Sequence, residues 1–247
     1  MDFSSSYKRI SPPQINCDLG EGISWENLIF PLIDVASLAC GGHYGTKKSL
    51  DASLALAIKY DKKVGAHPSY PDQENFGRVS VTIPIETLIE AIEVQLERFQ
   101  QRAQILNLTM DHIKFHGALY NDASRDEELA SHLISFLKKN YAEIPLLVPP
   151  HSQLENQARE NGLSIRLEVF ADRAYTADYL LSPRSQHGSL LQDMRAVESQ
   201  VKRLLFKGEL LSIDGLPLPI KADTLCFHGD NPGILNFLPQ LRKQYWK

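Results

Sequence analysis

One recurring unit constrains this chain more than any other feature: a short apolar run that ends abruptly in polar groups able to do chemistry. Val64-Gly65-Ala66 runs into His67-Pro68 and on through Phe76-Gly77-Arg78. Ile15 runs into Asn16-Cys17-Asp18-Leu19-Gly20-Glu21-Gly22, and residues 35–40 run into Gly41-Gly42-His43. The form returns at Lys114-Phe115-His116, at Glu168-Val169-Phe170-Ala171-Asp172-Arg173 and at Cys226-Phe227-His228-Gly229-Asp230. Parallel strands that all empty onto one face would gather these groups into one pocket.

Between the runs lie stretches of helical period. Thr46 is placed to N-cap a helix carrying Leu50, Leu54, Ala57 and Ile58, and Pro84 to set the first turn of a long one carrying Leu88, Ile92, Leu96, Phe99, Ala103 and Leu106. Ser124-Arg125-Asp126-Glu127 and Ser152-Gln153-Leu154-Glu155 have the form of capping boxes, Gly162 and Gly208 are placed to end helices, and Asn231-Pro232 to open the last one. Residues 175–189 are less regular and suggest a short hairpin or lid. Strand and helix in alternation imply a parallel sheet, because each right-handed crossover helix must bury its apolar stripe against it. A count of about seven strands suits either a closed barrel or an open doubly wound sheet. Polar tips on nearly every strand favour a TIM-like β/α barrel, since an open sheet concentrates its site at one switch point.

The 247 residues, 43% of them hydrophobic, are enough for one such barrel, and the whole of 1–247 is expected to form a single domain. A net charge of -4 supplies no basic field for nucleic acid. No stretch is apolar for long enough to span a bilayer, and residues 1–9 lack the core of a signal peptide, so a cytoplasmic protein is expected. The three cysteines, Cys17, Cys40 and Cys226, include no C-x-x-C pair and read as small packing groups at strand ends, with a nucleophilic thiol as the alternative.

Among the tips, Asp18 and His116 form the expected pair for proton transfer, a carboxylate and an imidazole delivered to one rim from separate strands. With His43 they also make a ligand set suited to a divalent metal ion, against hydrogen-bonding roles without one. His67 either orients a substrate or ties down its loop. Lys114 shares alternation parity with His116 and so points to the same side of its strand. Facing inward it needs a partner, either an anionic substrate group or an ion pair with Glu168 or Asp172. Arg78, Arg173 and Arg184 are candidates for holding an anion, and Asp230 either caps the last helix or serves the site. No phosphate loop of the G-x-x-x-x-G-K-[ST] form, no G-x-G-x-x-G and no G-x-S-x-G elbow occurs.

These blocks, together with Gly117-Ala118-Leu119-Tyr120-Asn121, resemble in order the LamB/YcsF family from about residue 14 to residue 235. The resemblance implies a seven-stranded β/α barrel of the glycoside hydrolase/deacetylase type. It also implies ATP-dependent opening of the 5-oxoproline lactam to glutamate together with two partner subunits of a 5-oxoprolinase. Asp18, His43, His67, Lys114, His116, Asp172 and Arg173 all match. Gly42, Tyr44, Thr46, Val79 and Phe115 depart from the pattern, and the missing acid at Thr46 raises the question of an altered ligand. The expected site is then Asp18, Lys114, His116 and Asp172 as catalytic groups, with His67, Arg78, Arg173 and His228 on the substrate. Asp18, His43 and His116 are the metal alternative.

Overall fold

Strand and helix alternate along the chain as the apolar spacing predicts, and the strands close on themselves. The computed structural model describes residues 11–246; the stretch 1–10, which includes the segment expected to lack a signal-peptide core, lies outside them, as does residue 247. Strands β1 (Gln14–Leu19), β2 (Val35–Ala39), β3 (Lys63–His67), β4 (Met110–Ile113), β5 (Leu146–Val148) and β6 (Ile165–Phe170) pair in chain order, all parallel. Two short strands, β7 (Glu209–Leu211) and β8 (Pro217–Pro219), form an antiparallel pair outside the barrel. The last, β9 (Thr224–His228), lies between β6 and β1 and completes a closed seven-stranded parallel barrel.

Around it run α1 (Glu26–Ile29), α2 (Lys47–Tyr60), α3 (Ile85–Ile105), α4 (Gly117–Arg125), α5 (Glu127–Asn140), α6 (Gln153–Glu160), α7 (Met194–Lys207) and α8 (Ile234–Tyr245). Barrel strands covered on both faces read as continuous apolar runs, and every residue of β2 and β9 is buried. The helices supply the outer cover through one stripe each. In α3 that stripe is Leu88, Ile92, Leu96, Phe99 and Ala103, as its period predicts, while Leu106, expected to continue it, is the half-buried residue that follows the helix. No helix among the described residues is long and apolar enough to cross a membrane.

Several local expectations shift. Thr46 does cap α2, in a reciprocal box with Ser49. Ser124, however, lies inside α4 and donates to the Tyr120 carbonyl, while Asp126 caps α5 by accepting from Leu129 N. Two helices follow one another almost without a break there, so the S-x-x-E pattern falls two residues early. Ser152 caps α6, but Glu155 reaches back to the amide of His151 rather than to that of Ser152. α8 starts at Ile234, after Pro232, and no side chain caps it; Asp230 is engaged elsewhere. The β7–β8 pair has no forecast in the sequence, because each strand is only three residues long and β8 begins and ends in proline, which carries little strand signal. Residues 175–189 are a loop pinned by single bridges, Arg173 to Leu190 and Tyr175 to Leu181.

Phe99 is fully buried between α3 and the barrel wall. Phe99→Ala is expected to lower the unfolding free energy by about 3–5 kcal/mol, the usual cost of emptying a core aromatic site, as read from urea titration.

Candidate active site

All the polar tips gather at the C-terminal ends of the barrel strands, and each is aimed by its own support. Beyond β1 the chain turns through Gly20, whose amide donates to Glu26 Oε1 at 2.7 Å; Ser53 holds the other oxygen of that carboxylate at 2.8 Å. Gly22 follows at φ +80°, where a Cβ would run into the Tyr44 hydroxyl. Between these two glycines Glu21 is turned inward and buried.

The centre of the site is an ammonium group. Lys114 Nζ lies 2.6 Å from Asp18 Oδ1, 2.8 Å from Glu168 Oε1 and 3.2 Å from Cys226 Sγ, and Lys114 is 1% exposed. Burial disfavours its charge, but Asp18, Cys226 and Glu168 more than reverse that and hold its pKa well above the ordinary value. Burial likewise works against ionised Asp18, yet Lys114, aided by His67 and His228, keeps that carboxyl below the usual range. Glu168 goes the other way: burial pushes it up, and Lys114 draws it back only in part. The resulting unit is one charge pair beside an acid that keeps its proton more readily.

Three imidazoles stand on the rim next to this unit. His67 Nδ1 donates to the Lys114 carbonyl at 2.8 Å, and His116 Nε2 donates to the Phe76 carbonyl at 3.0 Å. His116 Nδ1 is 3.0 Å from His67 Nε2, which is itself 3.6 Å from Asp18 Oδ2. His43 stacks flat on His116 with centroids 3.6 Å apart, and its Nε2 lies 3.0 Å from Glu21 Oε1. Burial brings the pKa of His67 down to about 3, and burial with the neighbouring rings takes His116 well below its ordinary value. Phe76 adopts φ 56° and Gly77 φ 62° to bring the Phe76 carbonyl to His116; a Cβ on Gly77 would sit 2.8 Å from that of His43.

Across the mouth, Asp172 accepts from His228 Nδ1 at 2.8 Å, from the His228 amide at 3.0 Å and from Asn231 Nδ2 at 2.8 Å. An ionised carboxylate only accepts, so Nδ1 carries the hydrogen and Nε2 is left as a base. Arg173 directs Nε to the Ser189 carbonyl and Nη2 to that of Ser182. Among the described residues no carboxylate forms an ion pair with it, and burial together with Arg184 lowers it to about 10. Arg78 and Arg184 share one carboxylate, that of Asp230. A cavity of about 420 Å³ joins these groups, lined by Asp18, Glu21, His67, His116, Arg173 and His228 among others.

Against the expected site, the structure brings Asp18, His67, Lys114, His116, Asp172, Arg173 and His228 to one end, with Arg78 at the rim. Asp18 and His116 are not paired directly; His67 stands between them. A metal-type group does form at the rim, but it differs from the expected one. Glu21, His43 and His116 place their ligand atoms within 4.8 Å of one another, and Glu21 stands where Asp18 was expected. The reason is that Asp18 is committed to Lys114. Lys114 pairs with Glu168, one of its two expected partners, and with Asp18 rather than Asp172. Asp230 is a partner of two arginines rather than a cap. Glu21 is the residue that sequence reading missed; its one signal is an acid between two glycines. His112, which lies off the strand tips, is fully buried between Ser37 and Asp111.

A closed parallel β/α barrel with an acid- and imidazole-lined cavity at its strand ends defines the class of protein. Residues 14–247 match the LamB/YcsF family, and the chain belongs to it. It is similar to a solved lactam utilization protein from Thermus thermophilus, with 32% identity, a TM-score of 0.86, and coverage of 94% of this chain and 96% of that one. It shares the fold of a candidate cellobiose-phosphate cleavage protein from Enterococcus faecalis, at 11% identity and a TM-score of 0.56 over 95% and 93% of the two chains. Thr46, where the resemblance leads one to expect an acid, is occupied with capping α2, work that threonine and aspartate both do.

The folded Asp18 carboxyl is lowered, so its share of stability is present above the unfolded value of about 3.9 and is lost on further acidification. Lys114→Met buries that carboxyl without its cation. The deficit against wild type should be about 3–5 kcal/mol near neutral pH and should narrow below about pH 4. Urea titrations at the two pH values check this, and a deficit that does not change with pH would reduce Lys114 to a packing role.

Proposed function

We propose that this protein opens the ring amide of a small lactam acid, 5-oxoproline, to give glutamate, with ATP and two partner subunits, in the cytoplasm. The observation that carries the reading is the pairing, across one cavity, of a base formed by Asp172 and His228 with an arginine that no acid among the described residues neutralises. A small acid with one reacting carbonyl fits that polarity: its carboxylate toward Arg173, Arg184 and Arg78, its amide toward the imidazoles. The solved relative named for lactam utilization supports the same substrate class.

The chemistry follows from the groups in place. An unstrained amide resists water, so its carbonyl is first activated by phosphoryl transfer to the amide oxygen. The chain has no phosphate loop, and that step with its ATP is assigned to a partner. Water then adds to the activated carbon while His228 Nε2 takes its proton, and Asp172 stabilises the imidazolium that forms. The adduct then breaks its C–N bond as the nitrogen takes a proton and departs as the amine, and the acyl phosphate left on the carbon is hydrolysed by a second water to the carboxylate and phosphate. Lys114 and its carboxylates fix the floor of the cavity, and Glu168, inclined to hold a proton, lies beside them. A metal-dependent hydrolase of another amide is the second reading, favoured by the gathering of the Glu21 carboxylate with the rim imidazoles around His116.

Mixing the protein with its two partner subunits, ATP, magnesium and 5-oxoproline should yield glutamate, and none above a control lacking this chain would reject the proposal. In the same assay His228→Gln should cost about 10²–10⁴ in kcat, the range for a lost general base. Arg78→Ala should act chiefly on KM.

A further inference from the structure

The way His67 and His116 meet calls for a positive charge between them. A carbonyl oxygen can only accept, so the Lys114 carbonyl takes the single hydrogen of neutral His67 and the Phe76 carbonyl takes that of neutral His116. Their other nitrogens therefore face each other at 3.0 Å as two lone pairs. A third acceptor joins them: Glu21 Oε1 is 3.4 Å from His116 Nδ1 and 4.0 Å from His67 Nε2. One proton would reconcile a single contact of two atoms, but here three electron-rich atoms converge.

We propose that Glu21, His67 and His116 form a binding site for one divalent transition-metal ion of the zinc class, with its open side toward the cavity. Ligand atoms about 2.0–2.2 Å from a common ion lie roughly 3 Å apart at right angles and no more than about 4.4 Å apart when opposed. The separations of 3.0, 3.4 and 4.0 Å all fall within those limits. All three residues line the cavity, as Asp18 does, whereas His43 does not. Each histidine of the set is also tied through its other nitrogen to a backbone carbonyl, the support that metal-binding imidazoles usually have.

His43 is nearer to Glu21 than either of them, yet its geometry is wrong for a ligand of the same ion. Its ring lies parallel to His116 at an interplanar angle of 3°, so an ion in the plane of one ring is out of the plane of the other. Its Nε2 donates to Glu21 Oε1, and its Nδ1 is buried without a hydrogen-bond partner among the described residues. His43 is thus a positioning residue for Glu21. Two imidazoles and one carboxylate suit zinc, with iron(II) as the other common occupant of such a set.

The proposal does not rest on the lactam reading, because metal content is measured without substrate. Purified protein, stripped and then dialysed against Zn²⁺, should hold one equivalent by elemental analysis, and Co²⁺ in its place should give a visible absorption band. His67→Gln and Glu21→Gln should each weaken Zn²⁺ binding by about 100-fold or more, and His43→Ala by less than about 10-fold. Circular dichroism of the metal-free variants separates loss of a ligand from loss of the fold. Less than one equivalent in folded wild-type protein would overturn the site, and so would a series in which His43 is essential and His67 dispensable.

Discussion

The site depends on the ammonium of Lys114, sealed in the barrel between Asp18 and Glu168. Taking such charges out of water costs several kcal/mol each, and only close pairing with good hydrogen bonds offsets it. Side chains from β1, from β6 and from the end of β4 therefore have to reach one point, and the closed parallel register brings them there. Once Lys114 is placed, much else is placed with it. Its carbonyl holds the His67 ring, and Asp18 is kept ionised facing His67. The charge pair at the floor thereby sets the orientation and the field of the rim above it.

The rim is aimed by backbone that takes on strain to do so. Phe76, a bulky residue with positive φ, gives up of order 1–3 kcal/mol to carry its carbonyl to His116. Such strain persists only where the surroundings hold it, and here Gly77 fits closely against His43 and His116. The opposite wall is built differently. Arg173 ties the loop 175–189 to the barrel through the carbonyls of Ser182 and Ser189, so the segment closing the cavity is fixed by the same guanidinium that faces into it.

Much of this was legible in the residues. Apolar runs that end in polar tips required parallel strands emptying onto one face, and the tips at Asp18, His67, His116, Asp172 and His228 do meet there. Helical stripes such as that of α3 were readable because one period spans many residues. Pairings were not readable. The parity of Lys114 gives its side of the strand, but whether it meets Asp18 or Asp172 depends on strand order and shear, which no local pattern carries. Glu21 escaped for a related reason: its direction comes from Glu26, Ser53 and Tyr44, contacts made across the fold. Short elements such as β7 and β8 lie below the length at which periodicity distinguishes a strand from a turn.

The central claim is that one cavity holds a small lactam acid between a guanidinium side and an imidazole side. A crystal structure of the protein soaked with 5-oxoproline tests it most directly. The account predicts the ring inside the cavity, its carboxylate on Arg173 or on Arg78 and Arg184, and its amide carbon facing His228 Nε2. A ligand bound elsewhere on the surface, or lying in the cavity with its carboxylate against the Asp172–His228 pair, would contradict it.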